Sequence, residues 1–153
     1  MLSEKRREIV EREVAKTLPP ENKMYRGGRK AVYLFLRFLM RVLFRMEVDY
    51  PERLPKEGPV LLCGNHTHYL DLPLIHFQFD RWIYWVARES LFDSAFTSRF
   101  FPWWGTMPID VRHPDASQIK RILGAIKKNQ CVGIFPQGTR CQDPEKVRST
   151  VPR

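Results

Sequence analysis

The chain has 153 residues, 43% hydrophobic and 28% charged, with a formal net charge of +9. This length allows one domain with a real core, and the composition excludes a disordered or collagen-like chain. The charge is concentrated: seven basic residues (Lys23, Arg26, Arg29, Lys30, Arg37, Arg41 and Arg45) and no acid stand between Lys23 and Arg45. Beside an apolar segment, that pattern points to anionic lipid headgroups rather than nucleic acid.

The N-terminal stretch MLSEKRREIVEREVAK is charged throughout and lacks the apolar segment of a signal peptide. Ser3 is placed to cap a first helix, with Ile9, Val10, Val14 and Leu18 at helical spacing. LPPEN ends that helix, and its prolines together with Gly27-Gly28 bracket a short linker.

In the next segment, RKAVYLFLRFLMRVLFRMEV, the stretch from Ala31 to Met46 is apolar except for Arg37, Arg41 and Arg45, which recur every four residues and form one helical stripe. Seventeen helical residues reach roughly 25 Å, against a hydrocarbon core of about 30 Å. Three central arginines cost about 7–10 kcal/mol on the insertion scale, whereas nine Leu, Val and Phe residues contribute about 3–5 kcal/mol. Spanning a bilayer is therefore disfavoured. The expectation is a helix lying in the interface, apolar face in lipid and arginines toward phosphates. The competing reading is a helix packed on the domain core with its arginines solvated.

PERLPKEG reads as a loop and PVLLCGNH as a buried strand running into a tight turn. Asp71–Phe79 starts a helix, WIYWVA is a strand, and ESLFDSAFTSRFFPWWG gives short helices around an aromatic cluster. TMPIDV is a short strand. DASQIKRILGAIKKNQ is a helix with Asp115 near its N-cap and Ile119, Ile122, Leu123 and Ile126 facing inward. CVGIFPQGTR is a strand ending in a loop. Strands alternating with helices imply an α/β fold with a largely parallel sheet, flanked by helices and with the N-terminal helices packed on it. Trp82 and Trp85 read as core residues; the role of FFPWWG stays open between core and a ligand groove or membrane-facing rim. Cys63, Cys131 and Cys141 show neither a disulfide framework nor metal-ligand spacing, so a reducing, cytosolic setting with no metal site is expected.

GNHTHYLDLP, Gly64–Pro73, carries the chemistry. His66 and Asp71 stand at the C-terminal end of a buried strand, where open α/β sheets place ligands. A carboxylate that fixes a histidine's tautomer makes it a general base. Alone, H-x-x-x-x-D reads rather as a strand cap followed by a helix cap. His68 has Pro73 at the matching position and so no such partner; it reads as structural or pocket-lining, and His76 and His113 as surface or helix-packing residues.

With GTMPIDVR (Gly105–Arg112) and FPQGTR (Phe135–Arg140) downstream, the chain resembles the glycerolipid acyltransferases, specifically the 1-acylglycerol-3-phosphate (lysophosphatidic acid) acyltransferase family. NHTHYLD matches that family's first block at Asn65, His66 and Asp71. FPQGTR matches its third at Phe135, Pro136, Gly138, Thr139 and Arg140, and the resemblance covers about residues 51–140. It implies that His66 is the catalytic base and Asp71 its orienting partner. The co-substrate is an acyl thioester of coenzyme A or acyl carrier protein, the acceptor hydroxyl belongs to a lysophospholipid, and no metal or resident cofactor is needed. Arg140 would hold the acceptor's phosphate, with Gly138 allowing close backbone approach and Thr139 adding a hydroxyl. Backbone amides of the GNH or QGTR turn are the candidate oxyanion donors.

The sequence departs from the family pattern in three places. Gln137 replaces the usual glutamate, keeping its shape and an acceptor oxygen. Arg112 stands one position later than the family's arginine, behind Val111, and reaches the phosphate only if the strand has ended. Family members also continue into further strands and a V-P-V-like block, whereas 13 residues follow Arg140 here, so an incomplete domain is expected.

The resulting expectation is a helical, membrane-interface region over 1–46 and an α/β acyltransferase domain over 47–153. The protein would sit peripherally on the cytoplasmic face of a membrane and convert 1-acylglycerol 3-phosphate to phosphatidic acid. Alternatives are the same fold acting on glycerol 3-phosphate or another lysophospholipid, and a non-catalytic protein that binds lipid surfaces.

Overall fold

A computed structural model of the chain describes residues 4–17, 23–45 and 48–141. Its centre is a four-stranded sheet of β1 (Val60–Cys63), β2 (Ile83–Arg88), β3 (Met107–Ile109) and β4 (Cys131–Ile134). The order is β1-β4-β2-β3, and every neighbouring pair is parallel. Parallel neighbours need crossovers. Helix α3 (Asp71–Gln78) follows β1, a 3-10 turn and α4 (Thr97–Trp104) follow β2, and α5 (Ala116–Lys127) follows β3. The expected α/β class and parallel sheet are what the structure contains.

Strand alternation divides the core into two faces. Tyr84 and Val132 join Val10, Val14, Phe92, Met107 and Ala125 on one face. Ile83, Trp85 and Cys131 join Phe79 on the other. Val10 and Val14 lie one turn apart on helix α1 (Glu4–Thr17), which packs against α4. The proposed cap Ser3, Leu18 and the LPPEN stretch lie outside the described residues.

Helix α2 (Lys23–Phe44) corrects one boundary. Gly27 and Gly28 were expected in a linker, yet both lie inside the helix. Each glycine costs about 1 kcal/mol relative to alanine, too little to break a helix anchored further along. The anchors recur every four residues. Arg29 is buried with its guanidinium 5.4 Å from the Trp82 ring centroid. The Tyr33 hydroxyl donates to Phe79 O at 2.5 Å, and Arg37 Nη2 donates to Asp80 Oδ1 at 2.8 Å. The apolar arc faces outward instead: Leu34, Phe35, Phe38, Val42 and Leu43 are exposed, Phe38 to 66%. The Arg37 side chain thus turns toward the protein. No helix among the described residues is long and apolar enough to cross a membrane.

Helix α5 begins with a capping box: Asp115 accepts from Ser117 N at 3.0 Å, and Gln118 Oε1 accepts from Asp115 N at 3.2 Å. The expected inward face needs correction. Ile122, Ala125 and Ile126 pack on the core, but Ile119 and Leu123 are exposed at 43% and 50%. Gln118 takes the buried position because its Nε2 donates to the buried Glu89 at 2.7 Å. That rotates the helix about one residue step from the all-aliphatic solution.

His76 is fully buried among Tyr33, Phe77, Trp82 and Trp104. Its Nδ1 accepts from Trp85 Nε1 at 3.2 Å. Burial pushes its pKa down from 6.5 to about 3, so the folded protein holds it neutral while the unfolded chain protonates it below pH 6.5. Protonation therefore favours unfolding as pH falls from 6.5 toward 3, at about 1.4 kcal/mol per pH unit from this group. His76→Gln keeps an acceptor for Trp85 without a titrating ring. Urea denaturation across that range is expected to show a shallower loss of stability in the variant than in the wild type.

Candidate active site

Because β1 and β4 are parallel neighbours, the loops that follow them leave the same edge of the sheet. Gly64 N donates to Ile134 O at 3.3 Å and Cys141 N to His66 O at 2.8 Å, so the two loops run side by side. This brings NHTHYLD and FPQGTR together across 70 residues of chain.

His66 Nδ1 lies 3.0 Å from Asp71 Oδ2. The same oxygen accepts from Thr67 N at 2.6 Å and His68 N at 2.7 Å. Asp71 opens helix α3, where a carboxylate also meets the helix dipole. Desolvation pushes the Asp71 pKa up, but the His68 and Thr67 amides and the His66 ring outweigh it and hold the carboxyl below its ordinary value. An ionised Asp71 accepts the Nδ1–H of a neutral His66, leaving the Nε2 lone pair to take a proton. Phe135 stacks on the imidazole with centroids 4.2 Å apart and planes 13° apart, so the ring plane is fixed from the side as well.

Gln137, counted with Arg140, Gly138 and Thr139 among the acceptor-binding candidates, reaches back to the first loop. Its Oε1 accepts from His66 N at 2.6 Å, and its Nε2 is buried without an acceptor among the described residues. The residue fastens the His66 backbone; the acceptor oxygen that it shares with glutamate is the atom in use. Gly138 has φ +63, and a Cβ there would lie 2.9 Å from Val111 Cγ1, so glycine is required twice over. The same contact joins the Asp110–Arg112 turn to the FPQGTR loop. β3 ends at Ile109, so Arg112 stands beyond the strand, exposed, with its N–H donated to Asp110 Oδ1 at 2.9 Å. Thr139 and Arg140 are exposed.

The oxyanion expectation narrows. The amides of Gly64, His66 and Gly138 are already donated to Ile134 O, Gln137 Oε1 and Phe135 O, which removes three of the amides considered. His68 accepts from Leu70 N through Nδ1 at 3.2 Å and shapes the loop. His113 is exposed, with its N–H also on Asp110. No group of three or more His, Cys, Asp or Glu side chains that could hold a metal ion occurs among the described residues.

Two contributors were not identified from sequence. Tyr69 lies under Arg140, its ring centroid 3.4 Å from the guanidinium carbon, a cation–π contact that holds the cation while leaving its N–H edge available. Arg88, at the C-terminal end of β2, donates to Gly138 O at 2.7 Å and ties down the FPQGTR turn. Its position at the C-terminal edge of a parallel strand was the available signal; Tyr69 offered only an aromatic inside the motif spacer.

The chain matches the family model described as Acyltransferase over residues 45–151. It is 25% identical over 113 residues to a 1-acyl-sn-glycerol-3-phosphate acyltransferase of Bacillus subtilis, covering 71% of this chain and 55% of that one. A protein of the same description from Streptococcus pneumoniae is 27% identical over 131 residues, covering 78% and 48%. The chain thus spans about half the length of the curated relatives it matches. No solved structure matches it.

The geometry fixes the His66 tautomer and makes it measurable. Nitrogen-15 NMR is expected to show Nδ1 protonated and Nε2 bare in the neutral ring. Asp71→Asn should move the proton to Nε2, because its amide can donate to Nδ1. An unchanged tautomer in the variant would show that the 3.0 Å contact does not set it.

Proposed function

Since the chain belongs to the acyltransferase family, we propose that it transfers a fatty acyl group from a coenzyme A or acyl-carrier-protein thioester to the hydroxyl of 1-acylglycerol 3-phosphate, giving phosphatidic acid. The observation that carries this reading is the His66–Asp71 pair, with one carboxylate oxygen held by two backbone amides and the imidazole Nδ1. The acceptor class is that of the Bacillus subtilis and Streptococcus pneumoniae relatives, both 1-acyl-sn-glycerol-3-phosphate acyltransferases.

In the proposed reaction, His66 Nε2 removes the hydroxyl proton as the oxygen attacks the thioester carbonyl. Asp71 stabilises the imidazolium that forms. The tetrahedral intermediate collapses, the C–S bond breaks, and the leaving sulfur takes the proton back from His66. The products are a new ester and a free thiol, with no acyl-enzyme. Thioesters are activated, so positioning and one base supply much of the rate. Arg140, steadied on Tyr69, faces the acceptor's phosphate, with Thr139 and Arg112 as further donors from adjoining turns.

The exposed arc of α2 gives the proposed membrane attachment. Leu34, Phe35, Phe38, Val42 and Leu43 lie on the outside of a helix whose Tyr33 and Arg37 bind the domain. This arrangement suits a helix lying in the interface, with the domain held against the bilayer that supplies a lipid acceptor.

Purified protein incubated with vesicles, labelled acyl-CoA and lysophosphatidic acid tests the reading. His66→Ala is expected to lower kcat by about 10²–10⁴-fold, and undiminished turnover would refute the base assignment. Arg140→Lys should raise the acceptor's KM roughly tenfold and the donor's far less. Phe35→Ser/Phe38→Ser should weaken vesicle partitioning by at least about tenfold, measured by co-sedimentation.

A further inference from the structure

We propose that a cationic cavity at the opposite edge of the sheet is a docking site for the phosphodiester headgroup of an anionic glycerophospholipid. It goes beyond the acyl-transfer reading and rests only on the proposed seating of α2 in the membrane interface. The cavity has a volume of about 280 Å³ and is lined by Arg37 and Arg41 of α2, Lys56, Arg81, Leu54 and Phe79, among others. Leu54 and Lys56 precede β1, and Arg81 precedes β2. The cavity therefore lies at the N-terminal edge of the strands, whereas His66 and Arg140 follow their C-terminal ends.

The charge in this cavity is unbalanced. Among the described residues that line it, four cations meet one acid, Asp80. Arg37 binds that carboxylate at 2.8 Å. Arg37 first, then Arg41 and Lys56, hold the Asp80 carboxyl below its ordinary value, so three cations lie within electrostatic reach of one exposed acid. Arg81 is fixed by donation to Pro55 O, Gly58 O and Asn129 O at 3.3, 2.7 and 2.9 Å. It keeps its charge at the cavity wall with no carboxylate bound to it among the described residues. Arg41 and Lys56 are exposed at the mouth. Cations gathered with so little acid repel one another, and a bound anion relieves that repulsion.

The neighbouring surface favours a lipid over a free phosphate. Arg41 stands beside Val42 and one turn from Phe38, both on the exposed apolar arc. A phosphate at Arg41 would lie at the boundary between that arc and the domain, the depth at which interfacial helices meet headgroups. The volume is at the small end for ligand pockets, enough for a headgroup, with the acyl chains left outside along α2. Leu54 and Phe79 form an apolar part of the wall, suited to the glycerol carbons.

The test is co-sedimentation of the full chain with phosphatidylcholine vesicles, with and without phosphatidylglycerol. The wild type is expected to prefer the phosphatidylglycerol vesicles. Arg41→Gln/Lys56→Gln should lose roughly tenfold or more of that preference. Lys30→Gln/Arg45→Gln removes the same charge from α2 and the residue that follows it, outside the cavity, and should keep most of the preference. Asp80→Asn, which releases Arg37, should tighten binding. Soluble glycerophosphoglycerol should compete, and inorganic phosphate at equal ionic strength should not. The proposal is overturned if the wild type shows no preference, if the two double variants lose it equally or not at all, or if Asp80→Asn fails to tighten binding. Equal competition by inorganic phosphate would assign the cavity to free phosphate and overturn the lipid assignment.

Discussion

A close approach between Trp85 and Gly133 sets the geometry of the site. The two residues are direct partners across β2 and β4, and the indole lies over the glycine so closely that a Cβ there would come within 2.6 Å of it. Phe135, two residues on and so on the same side of the chain, stacks on the indole at 5.0 Å and 11°. His66 then stacks on Phe135. The plane of the imidazole is thus inherited through three rings from one missing side chain in the sheet. The opposite face of the same strands follows different rules, with aliphatic residues from α1 and α5 filling the space.

Two glutamines fasten what this stack leaves loose. Gln137 holds the backbone of His66. Gln118 accepts from Asp110 N and Asp115 N through Oε1 and donates to Glu89 through Nε2. It therefore links the turn carrying Arg112, the start of α5 and the segment after β2. Arg7 of α1 reaches the same Glu89 at 3.4 Å, so the N-terminal helix is tied into this network. A neutral amide can donate and accept at once, which a carboxylate cannot do when ionised. That dual capacity is what Gln118 uses, whereas Gln137 uses only its oxygen.

The parts legible in sequence were those whose causes are local. His66 and Asp71 are five residues apart on a turn entering a helix, a spacing that lets them meet and that FPQGTR downstream turned into a pair. Asp115 with Gln118 three residues on is a cap written in consecutive residues. The strands were legible because buried parallel strands are continuous apolar runs. Partners brought by the fold were not legible. Arg37 read as one of a stripe of like residues because nothing in its neighbourhood names Asp80, 43 residues away. Ile119 and Leu123 read as inward because periodicity counts apolar residues and gives no weight to a glutamine that satisfies a buried acid. His76 carried no motif, and its burial depends on rings from four separate segments. Gly27 and Gly28 looked like a break because propensity was judged without the anchors further along α2.

The strand order carries a consequence for synthesis. β1 pairs only with β4 in the described sheet, and β4 lies between β1 and β2. On the ribosome, β1 emerges some 70 residues before its partner, and β2 and β3 can pair earlier. The nascent chain must therefore keep an apolar strand unpaired until residue 134 clears the exit tunnel, a non-local closure of the kind that slows folding and exposes chains to chaperones. When β4 inserts, it joins β1 to the sheet and sets Phe135 against His66 in the same step. In a partly synthesised chain the two are therefore not separable: joining β1 to the described sheet and setting the His66 ring in its stack are one event.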